Sequence, residues 1–155
     1  MLISLIRLLR SKQLSRKTKV RLYHQLILPV LLYGSESWTL TSAGVKLLSA
    51  YERRVLRLIF GTACINGEWR IRYNQELYKL YNHPDIIKKI QTRRLRWAGH
   101  VERMDDNAAA KIYNFSVEGV RRRSHQRARW LDIVEKDAKE LRIPSWKSTA
   151  RNREL

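Results

Sequence analysis

The sequence predicts an all-α or mostly α protein, with about five helices in a small bundle, connecting loops and room for one short hairpin. Three observations predict this class. Apolar residues recur every three to four positions in several long segments, as they do on one face of an α-helix. Residues that favour helix N-termini precede these segments, and glycine or proline follows them. With 44% hydrophobic residues among 155, the chain can also form a packed core.

Two long helices are predicted in the N-terminal part of the chain. The first is expected over Ser15–Tyr33, with Ser15 as N-cap, a kink or break at Pro29 and a stop at Gly34. The second is expected over Ala43–Phe60. Thr41 and Ser42 are its N-cap candidates, and Gly61 is expected to end it. Its apolar stripe is predicted to comprise Leu48, Tyr51, Val55, Leu58 and Ile59.

Residues 61–73 are predicted to form a loop with one or two short extended pieces. A short helix follows over Gln75–Tyr81, with Asn74 as cap candidate. The next helix is expected to begin at Pro84 and to run to about residue 103, because proline and an acidic residue suit the first helical turn. Its apolar face is predicted to comprise Ile86, Ile90, Trp97, Ala98 and Val101, with Arg94 falling inside that face.

The rest of the chain is predicted as a loop, a helix and a tail. The loop covers residues 104–128 and includes a short strand at Lys111–Val117. The helix covers Arg129–Leu141 and is closed by Pro144. The polar tail to the last residue is expected to fray. Trp130, like Trp97 before it, lies on an apolar stripe and is predicted to belong to the core.

The chain is strongly basic. It carries 32 Lys and Arg against 14 Asp and Glu, a net charge of +18, and residues 1–35 contain seven basic residues and no acidic one. Such a charge predicts nucleic acid as partner, through phosphate contacts; a solvated basic surface is the alternative. The candidate contacts form three patches: Lys17, Lys19 and Arg21; Lys89, Arg93, Arg96, His100 and Arg103; and Arg121, Arg122, Arg123, Arg127 and Arg129.

No catalytic, metal-binding or cofactor-binding pattern is recognisable, so we expect no enzyme activity, metal or cofactor. Asp105-Asp106 is an acidic pair, but it follows a helix instead of lying between apolar strands, as a polymerase metal site would require. The four histidines have no metal-ligand spacing, and Cys64 is the single cysteine. The longest apolar stretch, Leu26–Gly34, is too short to span a membrane, so no membrane partner is expected.

Four collinear segments resemble the C-terminal region of non-LTR (LINE-type) retrotransposon endonuclease–reverse transcriptases. RRLRWAGHVERM at Arg93–Met104 resembles the family signature RLRWAGHVxRM. The segments at Ser15–Thr41 and Tyr51–Tyr81 resemble the family's LLYGSExW and IFGP…GxWRxRxNxELYxLY regions, and RARWLDIVEKDAKEL at Arg127–Leu141 resembles its RWLD helix. Three departures occur: Ser124–Ala128 stands where the family has a Gly-Arg-Pro run, Tyr51 stands where phenylalanine is common, and Thr62-Ala63 replaces a Gly-Pro turn.

The resemblance implies a truncated copy of the polymerase's thumb and post-polymerase region, which in the family grips template–primer and element RNA. The implied organisation is a thumb-like helical region at 1–60, a linker at 61–128 containing the basic helix 84–103 and the Arg-rich loop, and a C-terminal helix and tail at 129–155. The family's catalytic palm and its endonuclease have no counterpart here, so the chain is expected to bind RNA or DNA without polymerase activity of its own.

Several alternatives stay open on the sequence. The chain is either a binding fragment, a part that complements a separate palm domain, or a nonfunctional transposon relic. Nuclear or cytoplasmic localisation is expected; the basic, acid-free segment MLISLIRLLRSK also has the composition of a mitochondrial presequence, but a helix packed on the domain is the favoured interpretation. Apolar surface around Leu26–Leu32, which a palm would cover, is expected to favour self-association.

Overall fold

A computed structural model describes residues 2–104, 129–143 and 145–152. Over these ranges the protein is mostly α-helical with one two-stranded sheet, which confirms the predicted fold class. The described residues fall into two compact units: residues 2–33 with 40–89, and residues 34–39 with those from 90 onward. In the described ranges no helix is long and apolar enough to cross a bilayer. The predicted strand Lys111–Val117, the Asp105-Asp106 pair and Pro144 lie outside the described residues.

The first unit begins with a chain of short helical segments: α1 (Leu2–Arg10), α2 (Arg16–Leu22), a π-helical turn (Tyr23–Ile27) and α3 (Leu28–Leu31). Ser15 caps α2 as predicted, since its hydroxyl oxygen accepts a hydrogen bond from the Thr18 N–H at 3.1 Å. Pro29 has no N–H to donate to the preceding turn, and the chain widens into the π-helical turn directly before it. The helical run from Arg16 to Leu31 is therefore not broken at Pro29 but changes to a wider turn before it, near the predicted kink or break.

Helix α4 (Ser42–Phe60) has the bounds that its end signals predict. The Thr41 side chain accepts a hydrogen bond from the Gly44 N–H at 3.2 Å. At the other end Gly61 has φ +69° and ψ −163°, a conformation that is essentially restricted to glycine. Both ends of this helix are thus decided by residues that the sequence singles out.

The buried side of α4 is shifted from the predicted stripe. Val55 and Ile59 are buried as predicted, but Leu56 and the carboxylate of Glu52 are fully buried beside them. The other three residues of the predicted stripe are only half-buried: Leu48, Tyr51 and Leu58. Helices α1 and α2 pack against α4, with Leu9 of α1 buried, as expected of a basic helix that belongs to the domain.

A β-hairpin and a short helix follow α4, as predicted for this segment. Strands β1 (Ala63–Ile65) and β2 (Glu68–Arg70) pair antiparallel, and the turn residues Asn66 and Gly67 both have positive φ, as a two-residue hairpin turn requires. Helix α5 (Asn74–Tyr81) then packs on α4. Asn74 is not its cap: the Glu76 carboxylate accepts a hydrogen bond from the Tyr73 N–H at 2.9 Å, which makes Tyr73 the cap residue.

Helix α6 (Ile86–Glu102) begins in the first unit and continues into the second. Asp85 precedes it, and its carboxylate accepts a hydrogen bond from the Lys88 N–H at 2.8 Å, so the helix starts two residues after the predicted Pro84. The residues of its predicted apolar face are buried with one exception: Ile86, Ile90, Ala98 and Val101 are at most 2% exposed, whereas Trp97 is 41% exposed. The prediction that Trp97 belongs to the core is wrong.

The second unit is completed by a 3₁₀ turn (Ser35–Ser37), α7 (Trp130–Glu140) and α8 (Trp146–Arg151). Val134 and Ala138 of α7 are buried as predicted, and Trp130 is half-buried with its indole N–H donating to the Glu36 carbonyl at 2.7 Å. Helix α8 lies where a fraying tail is predicted, and that prediction is wrong for its residues. The Arg151 guanidinium anchors α8 by pairing with the buried Glu102 carboxylate at 2.6 Å.

Candidate nucleic-acid interface

Four of the predicted contact residues follow one side of α6 to its C-terminal end, and we call them the α6 cationic face: Arg93, Arg96 and His100 on the helix, and Arg103 directly after it. They are spaced three or four residues apart, so they follow one another along the helix surface. All four are exposed. Together with Glu36 and Trp97 they line an open cavity of about 500 Å³. The structure thus brings four of the five residues of the predicted patch together around a single depression.

Lys89, which the sequence places on the same stripe, does not join this face. It belongs to the first unit, where its ammonium donates hydrogen bonds to the Tyr81 hydroxyl at 2.7 Å and to the Pro84 carbonyl at 2.6 Å. Burial lowers the pKa of Lys89 from its ordinary value. The predicted patch of five residues is therefore reduced to four on this face.

The N-terminal patch is only partly presented to solvent. Lys17 and Arg21 are exposed and lie four residues apart on α2, so they share one side of that helix. Lys19 is only 8% exposed, because its position faces the opposite side of α2. Two of the three predicted side chains can therefore contact a ligand together.

Of the third patch, the described residues include only Arg129. It is exposed and precedes α7, where its N–H donates to the Asp132 carboxylate at 3.2 Å. The other four arginines of that patch lie outside the described residues: Arg121, Arg122, Arg123 and Arg127.

Arg94 orients the α6 cationic face, although the sequence marked it only as an irregularity. Its guanidinium is buried and forms an ion pair with the buried Asp137 carboxylate of α7. It also donates to the Trp38 carbonyl at 2.9 Å. A buried arginine held by two partners fixes the rotation of α6 in this unit, so that the residues of the cationic face point to solvent.

A helical projection explains why Trp97 is exposed. The buried arc of α6 in this unit is centred near Ala98, and Trp97 lies about 100° from Ala98 around the helix, toward Arg93. The Trp97 and His100 rings lie 5.3 Å apart, centroid to centroid, and are tilted by 43°. Trp97 is therefore a member of the cavity lining that the sequence analysis missed. The exposure of Trp97 could have been predicted only from the ion pair of Arg94 with Asp137, which lies 43 residues away in the sequence and sets the buried side of α6.

The first unit contains a buried polar cluster that the sequence analysis also missed. Glu52, fully buried, accepts hydrogen bonds from the hydroxyls of Tyr23 at 3.2 Å and Tyr78 at 3.1 Å and from the Ile86 N–H at 3.1 Å. Burial raises the pKa of Glu52, and burial together with the Glu52 charge raises the pKa of Tyr78 to about 12. The cluster ties the π-helical turn, α4 and α5 to the start of α6. All its acceptors and donors are used within the fold, which is the pattern of a structural network.

The predicted self-association segment has a mixed surface. Leu26 and Val30 are exposed, while Ile27, Leu28 and Leu32 are buried in the first unit. Self-association stays a prediction.

Comparison with known proteins gives one informative relationship. No protein-family model and no solved structure matches the chain. A curated transposon-derived protein of Caenorhabditis elegans is 29% identical over 91 residues, which cover 59% of this chain and 33% of that protein. The chain therefore matches about a third of the length of this relative. The similarity points to a transposon origin for the chain.

Proposed function

We propose that this protein is a fragment of a non-LTR retrotransposon endonuclease–reverse transcriptase, from its thumb and post-polymerase region, and that it binds RNA or DNA backbone without sequence preference. The collinear motifs and the transposon-derived relative support the origin. The observation that carries the binding proposal is the α6 cationic face: four exposed basic side chains around one open cavity.

The chemistry of this face suits phosphate groups. A guanidinium presents several N–H donors in one plane and can bind a phosphate with two parallel hydrogen bonds. From Arg93 to Arg103 the helix rises about 15 Å, so the cations follow an extended ligand and not a single anion. Backbone binding of this kind has a Kd on the order of 10⁻⁴ to 10⁻⁶ M at physiological salt.

The remaining parts of the proposal follow from the same reasoning. Lys17 and Arg21 supply a second phosphate-binding surface, and the partner is RNA or DNA, with a reverse-transcriptase palm as the alternative protein partner. The proposed fragment has no polymerase activity of its own, and its proposed localisation is nuclear or cytoplasmic.

The test is the salt dependence of binding. Labelled single-stranded RNA is titrated with the full chain, and its fluorescence anisotropy is followed at several salt concentrations. Counterion release predicts that log K falls against log salt with a slope of about −0.7 per phosphate contact. The variant R93A/R96A removes two exposed cations of the face, so the slope should become shallower by about 1.4. Arg103 is left in place because its guanidinium donates to the Ala150 carbonyl at 2.8 Å and supports α8.

A matched control removes the same charge elsewhere. Lys46 and Arg54 are exposed on α4, and the variant K46A/R54A should leave the slope unchanged. A salt-independent affinity of the unmodified protein would contradict the proposed function. Equal changes of slope in both double variants would contradict its assignment to the α6 cationic face.

A further inference from the structure

Trp97 presents a large aromatic surface to solvent at the edge of the α6 cationic face, next to Arg93. Its side chain is 41% exposed and lines the same cavity as Arg93 and Arg96. Exposure of a tryptophan beside cations costs favourable burial, since aromatic side chains bury more apolar area than most others. A ligand that pairs negative charge with a flat apolar surface would satisfy both features of the cavity.

We propose that Trp97 is a base-stacking platform, and that the ligand of this cavity is single-stranded nucleic acid with unstacked bases. This inference rests on the proposed function and names its substrate class. A nucleobase stacks on the indole while the flanking guanidinium groups contact the neighbouring phosphates. The charges of this face are complementary to a phosphate backbone, and the aromatic ring is complementary to a base.

A single strand suits this arrangement better than a duplex. In a duplex the faces of the bases are covered by their neighbours, so the indole of Trp97 has no face to contact without unstacking a base pair. In a single strand each base has an accessible face, and stacking on an aromatic side chain is tolerant of sequence. The cavity is open to solvent and its cations follow the helix, which leaves a path for the strand to enter and leave.

The experiment compares strands with and without bases. Anisotropy titrations use a labelled single-stranded DNA, an abasic strand of equal length and phosphate number, and a duplex. For the normal single strand, W97A should lose about tenfold in affinity, or about 1.4 kcal/mol, and W97F should retain most of it. For the abasic strand, W97A and the unmodified protein should bind equally. Because Trp97 carries no charge, W97A should leave the salt slope unchanged.

Trp69 supplies the matched control. It is 73% exposed on β2, outside the α6 cationic face, so W69A removes an exposed tryptophan without touching the cavity. Its affinity for the normal strand should be unchanged. The abasic strand also serves as a folding control, because a misfolded W97A would lose binding to both strands, whereas W97F keeps a ring in place and tests stacking independently.

The outcomes separate this inference from the proposed function. Equal affinity of W97A and the unmodified protein for the normal strand, with a shallower salt slope in R93A/R96A, would overturn the stacking platform and leave backbone binding intact. Preference of the unmodified protein for the duplex would also overturn it. Absence of salt-dependent binding to any strand would overturn the proposed function and this inference with it. An equal loss in W69A would refute the assignment to Trp97.

Discussion

Replacement of the buried Glu52 carboxylate should reveal how strongly one polar cluster holds the first unit together. In the variant E52L, the Tyr23 hydroxyl and the Ile86 N–H lose their acceptor while remaining fully buried. An unsatisfied buried donor costs about 1–3 kcal/mol, so the two together predict a loss of about 2–6 kcal/mol in the free energy of unfolding. Tyr78 is half-buried and can turn its hydroxyl to water, so it adds little.

The isosteric variant E52Q should cost far less. Its amide oxygen can take the place of Oε2, which accepts from Tyr78 and Ile86, and its amide group can donate to the Tyr23 hydroxyl oxygen. No buried group is then left without a partner, and the expected loss is about 1 kcal/mol or less. The pair of variants thus separates hydrogen bonding from shape.

Urea unfolding followed by circular dichroism measures both variants. With a slope of about 2 kcal/mol per M, a loss of 4 kcal/mol moves the midpoint of unfolding by about 2 M, and a loss of 1 kcal/mol by about 0.5 M. Equal midpoints for E52L and E52Q would refute the reasoning, because they would show that the buried donors do not depend on an acceptor at residue 52.

Three further predictions concern single positions. The unfolding free energy of G61A should fall by about 1–3 kcal/mol, because Gly61 adopts a glycine-only conformation at φ +69°. The control G44A, inside α4, adds a Cβ at ordinary contact distance from Leu40 and Thr41 and should be neutral or more stable by up to about 1 kcal/mol. Thermal melts resolve this difference of sign. D85A removes the N-cap of α6 and should cost about 1 kcal/mol in the same melts, whereas D85N should retain most of the stability. Burial raises the pKa of Glu52 above its ordinary value of 4.5, so the folded state favours the protonated form. This stabilisation is present below the unfolded-state pKa and is lost as pH rises through the folded-state pKa. In urea titrations the unmodified protein should therefore lose stability relative to E52Q as the pH rises above about 4.5, and a pH-independent difference would contradict this.

Local signals account for much of the fold. Ser15 and Thr41 cap their helices through side-chain hydrogen bonds to nearby N–H groups, and Gly61 ends α4 in a conformation that only glycine adopts readily. Pro29 lacks a donor, and the turn that precedes α3 is π-helical. These effects act within about four residues, so sequence patterns predict them. The N-cap of α5 was predicted at Asn74 and is observed at Tyr73, an error of one residue at the same helix start.

The candidate site is less accessible to sequence reasoning. All four residues of the α6 cationic face were predicted, since spacing of three and four residues puts side chains on one side of any helix. Whether a given side of a helix faces solvent depends on what packs against the other side. Lys19 is buried and Lys89 is held by Tyr81 and Pro84 for this reason, although their spacing resembles that of the exposed residues.

The sequence alone determined that this chain is mostly helical, strongly basic and segmented at its caps, glycines and prolines, because those properties depend on composition and on neighbours along the chain. Only the tertiary structure decided that Arg94 is buried against Asp137, that Glu52 gathers three donors, and that the indole of Trp97 lies exposed among arginines. The physical reason is desolvation. A charged group enters the interior only where a distant partner meets it, and that partner in turn sets which face of the helix is left to bind a ligand.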